Sequence, residues 1–155
     1  MTGITNGDLE KLCKNFLNNN FLGVFPSDVV PRSNKNLWSI IFNLSPHDEE
    51  GSHFIAIVKR VKKIFYFDSF GKKCLNEKLN AFMNSYKLPI EYNTIKIQDD
   101  RSSLCGYYCF YFLHEYFLKC KSYREFITQF ENKPTKIKNN DLLLLKFILK
   151  KIKCN

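Results

Sequence analysis

The sequence lacks the features that mark several large classes of protein. No run of about 20 apolar residues occurs, the length a membrane span needs. The longest apolar stretch, residues 105–118, is interrupted by His114 and Glu115. Membrane insertion is therefore not expected. The first residues, MTGITNGDLEKLC, lack the basic-then-apolar order of a secretory signal. The expectation is an intracellular protein that is not secreted. Its six cysteines are then free thiols rather than disulfides. They contain no Cys-x-x-Cys pair, and their spacing to the histidines fits no standard zinc module, so no metal is expected. Arginine is scarce too: four of the 24 basic residues, at 32, 60, 101 and 124. Lysine binds phosphate as a point charge and seldom reads base edges bidentately. Any DNA partner would be bound without sequence preference. There is no internal repeat and no linker, so residues 1–155 are expected to form one domain, acting as a monomer.

What is present is a Phe- and Tyr-rich core in a basic chain. Hydrophobic residues make up 45%, with 15 Phe and 8 Tyr against one Trp, and the net charge is +9. That surplus favours an anionic partner. The candidate nucleic-acid contacts are Lys59, Arg60, Lys62 and Lys63, a basic run between two apolar segments that reads as a hairpin tip. Apolar spacing predicts a helix over 8–17 and a loop over 18–35. Strands are expected over 37–44, 52–58, 64–68 and 94–98, with a helix over 75–86 between the last two. A long buried helix is expected from Cys105 to about 119, then helices over 123–130 and 141–153. His47 and the acidic run 48–50 read as solvated, and His114 as a hydrogen-bonded core histidine. Leu142, Leu145, Leu149 and Ile152 form one stripe of the last helix, expected to pack on the core rather than on a membrane. The order is α-βββ-α-β-ααα, an α+β fold with one mainly antiparallel sheet.

One set of residues carries chemistry. Cys105 follows a polar loop and opens a helix, where the partial positive charge of the helix N-terminus favours a thiolate. Gly106 keeps side-chain bulk away from a substrate carbonyl, and the first N–H groups of the helix are free to hold an oxyanion. His53 starts one strand of the expected hairpin and Asp68 ends the other. Centring the hairpin near Val61 puts His53 opposite residue 69, one position from Asp68. The carboxylate then reaches and orients the imidazole. Gln98 ends the strand before the nucleophile loop, and its amide can donate to an oxyanion. Together these residues point to a cysteine protease. The competing readings are a core thiol at Cys105 and a non-enzymatic basic protein that binds nucleic acid.

The same residues resemble the adenovirus-type cysteine proteases (adenain) and, more distantly, the SUMO-specific proteases of that clan. The resemblance rests on Gly51-Ser52-His53-Phe54, on Tyr66-Phe67-Asp68-Ser69-Phe70-Gly71, and on the segment from Gln98 to Cys105-Gly106. Cys109, Phe112-Leu113-His114 and Phe21-Leu22-Gly23-Val24-Phe25 add to it. The order His, acid, Gln, Cys-Gly is the family's order. The resemblance implies an adenain/SUMO-protease-like α+β fold, with a mixed, mainly antiparallel sheet flanked by helices and the nucleophile at the N-terminus of a buried central helix. It implies His53 as base, Asp68 as orienter, Cys105 as nucleophile, and an oxyanion hole of Gln98, Cys105 and Gly106. It implies cleavage of viral capsid or core precursors at Gly-Gly or Gly-X-Gly-like sites during virion maturation, in the virion and the infected cell, nucleus or cytoplasmic virus factory. No prosthetic group is implied, and DNA is an activator in the family. The Lys- and Asn-rich composition fits an AT-rich viral genome, such as that of a virophage or Maverick-like element. Three residues depart from the adenoviral pattern. Asp68 stands where those enzymes carry Glu, as in the SUMO proteases, which keeps a deconjugating protease for ubiquitin-like proteins as the alternative. Phe54 stands where Trp is usual. Residues 85–89 (SYKLP) hold no cysteine, so the disulfide that tethers an activating peptide has no counterpart there.

Overall fold

The computed structural model describes residues 3–45 and 53–153. The elements run α1 (Asn6–Phe16), β1 (Phe21–Pro26), β2 (Trp38–Asn43), β3 (Phe54–Arg60), β4 (Lys63–Phe67), α2 (Glu77–Asn84), β5 (Ile90–Tyr92), α3 (Cys105–Phe112), a π-helical segment (Leu113–Leu118), α4 (Tyr123–Ile127) and α5 (Asn139–Lys153). The five strands form one sheet in sequence order. β2, β3 and β4 pair antiparallel, while β1 and β5 add to the two edges in parallel. The fold is α+β, with a mixed sheet flanked by helices.

The period-2 alternation of the strands sorts the core into two layers. Ile41, Phe54, Ala56, Val58, Phe65 and Phe67 face α1, α3, α4 and α5. Trp38, Ile40, Phe42, Ile55, Ile57 and Tyr66 face the other way, onto Leu79, Phe82 and Met83 of α2. Both faces of β2 and β3 are covered, which is why these strands read as continuous apolar runs. Aromatic stacking joins sheet to helix: the Phe67 and Phe112 rings lie 4.3 Å apart at 8°, and Phe112 stacks on Tyr116 at 4.9 Å. Truncating Phe112 to Ala would cost about 3–5 kcal/mol. α3 is hydrophobic nearly all round because every residue of it but Tyr107, which is half-buried, is buried.

Several elements differ from the sequence expectation, each for a tertiary reason. Residues 18–35 are not all loop. Phe21–Pro26 is an edge strand with an irregular register between Phe21 and Val24, and only an edge admits its terminal proline. The alternating residues 94–98 are not a strand. Ile97 and Gln98 both donate their N–H groups to Ser69 O, so the segment packs on the Asp68 turn, and the short β5 takes the sheet edge instead. The expected helix from Cys105 is continuous but widens into the π-helical turn at Leu113. In α5 the buried positions are Leu144 and Ile148, while Leu142, Leu149 and Ile152 are exposed. The rotation is fixed by Asn140, 2% exposed, whose Nδ2 donates to Ile97 O and Glu131 O at 2.8 and 2.7 Å. Tyr108 Oη donates to Asp141 Oδ1 one residue on. His47, residues 48–50 and the Gly51-Ser52 part of the family motif lie outside the described residues.

Candidate active site

A two-residue turn, Val61–Lys62, joins β3 to β4, with Arg60 paired to Lys63 and Ala56 to Phe67. His53 immediately precedes β3 and Asp68 immediately follows β4, so the hairpin's open end brings them together. His53 Nε2 donates to Asp68 Oδ1 at 3.0 Å. The same oxygen accepts the Phe70 N–H at 2.7 Å. Asn93, fully buried, holds the Asp68 backbone from both sides: its Nδ2 donates to Asp68 O at 2.6 Å, and its Oδ1 accepts the Asp68 N–H at 2.8 Å. The turn after Asp68 needs Gly71. Its φ is +68°, and a Cβ there would lie 2.9 Å from Thr94 O.

Cys105 is the first residue of α3 and is 6% exposed. The Phe54 N–H points at its Sγ at 3.5 Å, so the nucleophile helix meets β3 one residue after His53. No side chain caps this helix, which leaves its first N–H groups free for an anion. Gly106 serves a different purpose from the one expected. A Cβ there would point into the protein, 2.6 Å from Ile4 Cγ2 and 3.2 Å from Phe54 Cδ2. The glycine lets the N-terminal segment and β3 close on the first turn of α3. Gln98 is fully buried and locked at both ends. Its Oε1 accepts from Ser69 Oγ at 2.5 Å, and its Nε2 donates one hydrogen to Ser102 O at 2.8 Å. The second Nε2 hydrogen is uncommitted.

The electrostatics of His53 follow from these contacts. Burial alone would lower its pKa, but the hydrogen bond to Asp68 and the pull of Asp68 and the nearby Cys105 raise it from 6.5 to about 9. With Nε2 given to Asp68, the other ring nitrogen, Nδ1, is buried and has no hydrogen-bond partner. The Phe70 ring packs on the imidazole, centroids 5.0 Å apart. Phe70 also divides two clefts. One of about 350 Å³ is bounded by His53, Asp68, Leu44, Lys72 and Lys73. The other, about 240 Å³, is bounded by Cys105, Gln98, Phe54, Ser102 and Ile4.

Four expected residues, His53, Asp68, Gln98 and Cys105, thus come together around Phe70. Sequence reasoning missed Asn93 and Ser102 and did not foresee Ser69 as the anchor of Gln98. Their only signal was being small polar residues flanking apolar runs. The basic hairpin tip is another matter. Lys59 is 7% exposed and donates to the carbonyls of Lys35 and Asn36. The Arg60 guanidinium donates to Tyr116 O at 2.6 Å and covers the Tyr116 ring. Lys63 pairs with Glu91 at 2.9 Å. Of the four, Lys62 alone is exposed, at the turn, with no partner among the described residues, so they do not form an open patch for nucleic acid. Their partners come from distant segments that local charge patterning does not reveal. Cys109 is fully buried, and His114 bonds Glu115 Oε1 through Nδ1 at 2.9 Å. Among the described residues no group of His, Cys, Asp and Glu is arranged to hold a metal, and no helix is long and apolar enough to cross a membrane.

No family model matches the chain. It is 30% identical over 131 residues to the "Protease" of Ovine adenovirus D serotype 7 (isolate OAV287), covering 74% of this chain and 65% of that protein. It is similar in structure to the ASFV protease, with a TM-score of 0.50 and 20% identity, over 68% of this chain and 43% of that one. The central domain of an uncharacterized Legionella pneumophila protein superposes with a TM-score of 0.60 at 13% identity, covering 99% and 98% of the two chains. The chain thus spans just under two thirds of the ovine adenovirus protein and under half of the ASFV protease. At these identities the two structural likenesses speak for the fold alone.

Proposed function

We propose, from its likeness to the ovine adenovirus protease and from the geometry of its site, that this chain is a cysteine endopeptidase with a Cys105–His53–Asp68 triad. The observation that carries the proposal is His53 itself. Its Nε2 is tied to Asp68, its Nδ1 is buried without a partner, and Cys105 is near enough to help raise its pKa. The raised pKa supports a protonated His53 beside Cys105 at neutral pH, ready to give its proton to a leaving group. Sγ attacks the scissile carbonyl carbon, and the carbonyl π electrons move onto oxygen. First-turn N–H groups of α3, at Cys105 and Gly106, and the free Nε2 hydrogen of Gln98 donate to that oxyanion. As the C–N bond breaks, the Nδ1 proton of His53 passes to the leaving amine. Water then attacks the thioester, giving its proton to His53, and the thiolate leaves. Asp68 holds the imidazole oriented throughout.

The substrates in this proposal are viral capsid or core precursor proteins cut at Gly-Gly or Gly-X-Gly-like sites, within the virion or infected cell. The +9 charge supports DNA as a non-sequence-specific activator of a monomeric single domain. Purified wild type, Cys105→Ala and His53→Ala would be incubated with a Gly-Gly-containing precursor and, separately, with a panel of ubiquitin-like fusions. Cleavage of the precursor by wild type alone is expected. Processing by the Cys105 variant would refute the triad. Release from a fusion without precursor cleavage would move the substrate to ubiquitin-like conjugates, which Asp68 favours. Activity indifferent to added DNA at low salt, where phosphate contacts are strongest, would remove the activator.

A further inference from the structure

The helix that begins at Cys105 ends, through the π-helical segment, at a second cleft. It measures about 550 Å³, larger than either of the clefts that Phe70 divides. Two elements send cations into it. Lys119 and Lys121 come from the chain leaving the π-helical segment, and Lys150 and Lys151 come from the last turns of α5. The inner wall holds His114 and Phe147, and His114 is 4% exposed. Glu115 is the one acid in the lining, and it is already spent: it bonds His114 Nδ1 through Oε1 and pairs with Lys121 through Oε2. Lys119, Lys150 and Lys151 have no carboxylate partner among the described residues.

Lysines on an open helix face are ordinary solvation. Lysines that converge over a concavity are not, because like charges facing one another destabilise the fold and focus positive potential into the hollow. The wide π-helical turn is what carries His114 and Glu115 on the wall, and such turns occur often at functional sites. With Nδ1 given to Glu115, the His114 ring contributes no charge to the cleft and serves as a wall whose signals report on what enters it. We propose that this cleft is a binding site for a compact polyphosphate-class anion, held by Lys119, Lys150 and Lys151 with His114 at its base. A nucleic-acid duplex fits the arrangement less well, because its phosphates need cations spread along a ridge rather than gathered round a hollow. The proposal stands independently of the protease reading, since no residue near Cys105 takes part.

The probe is inorganic tripolyphosphate, titrated into the full chain at fixed ionic strength and followed by calorimetry and by the His114 ring signals in NMR. Saturable one-to-one binding that moves His114 is expected. The double variant Lys119→Gln/Lys150→Gln should weaken it about tenfold or more, since two charge-assisted contacts go. Lys72→Gln/Lys73→Gln, at the other cleft, should bind as wild type does. If the full chain shows only non-saturable screening, or if both double variants weaken binding equally, the site is refuted. An unmoved His114 signal also refutes it, as does binding of a DNA duplex without binding of tripolyphosphate. Should the double variant unfold, Lys119→Gln and Lys150→Gln singly give the same readout, because both side chains are exposed.

Discussion

Two histidines in this molecule are mostly buried against a carboxylate at nearly the same distance, yet they are held in opposite states. His53 Nε2 meets Asp68 at 3.0 Å, and His114 Nδ1 meets Glu115 at 2.9 Å. Burial lowers the pKa of both. At His53 the bond to Asp68 and the pull of the nearby Cys105 overcome it and lift the ring to about 9. At His114 burial wins over the bond to Glu115, with Lys151 and Lys119 helping, and the pKa falls below 6.5. The carboxylates are held differently. Asp68 Oδ1 also accepts the Phe70 N–H, whereas Glu115 Oε2 pairs with Lys121, and Lys121 and His114 hold Glu115 low in spite of burial. A His–carboxylate pair therefore does not by itself make a base. The balance decides: at the start of α3 the pull of Asp68, helped by Cys105, outweighs burial, and in the π-helical segment burial, helped by lysines, outweighs Glu115.

The sharpest way to break the comparison is to remove each histidine. In the proposed mechanism Cys105→Ala and His53→Ala should each lower kcat/KM by about 10,000-fold or more. His114→Ala should leave it within a few-fold, measured on the same precursor peptide. A similar loss at both histidines would make the distinction false. Removing the carboxylates should give a smaller contrast. Asp68→Asn should cost roughly 100- to 10,000-fold, because the imidazole loses its orienting charge. It should also move the alkaline limb of the pH–rate profile down from about 9 toward 6.5. Glu115→Gln should leave the profile in place. Gln98→Ala should cost roughly 100-fold through the oxyanion, with kcat falling more than KM rises.

How much of this was legible depended on range along the chain. His53 and Asp68 meet across a local hairpin whose two apolar runs and basic tip are plain in the residues, although the turn proved to be Val61–Lys62, half a residue from the expected centre. Cys105 stands out because a polar loop precedes an apolar run long enough for only one reading, a buried helix. What was hidden is what distant segments supply. Asn93 clamps Asp68 from beyond α2, and nothing about a lone asparagine announces that. β1 was read as loop because its Gly23 and Pro26 are tolerated only at an edge, which the sequence does not mark. The stripe of α5 was misplaced because Asn140, not apolar spacing, sets the helix's rotation. Lys59, Arg60 and Lys63 looked free because Tyr116 O, Glu91 and the 35–36 carbonyls lie far off in sequence.

The smallest effect should appear in stability against pH, where the two histidines carry opposite signs. His53 binds its proton more tightly folded than unfolded. Its contribution is fully present below about 6.5 and is lost as pH rises through about 9. His114 binds its proton less tightly folded, so the unfolded chain gains protons first as pH falls below 6.5, and stability falls with it. Either window changes stability by at most about 1.4 kcal/mol per pH unit. Urea denaturation of wild type, His53→Gln and His114→Gln from pH 5 to 10 separates them. His53→Gln should flatten the alkaline decline and leave the acid side unchanged, while His114→Gln should do the reverse. If His53→Gln flattened the acid side instead, the ring would be neutral in the folded protein, and the protonated His53 on which the proposed chemistry starts would be gone.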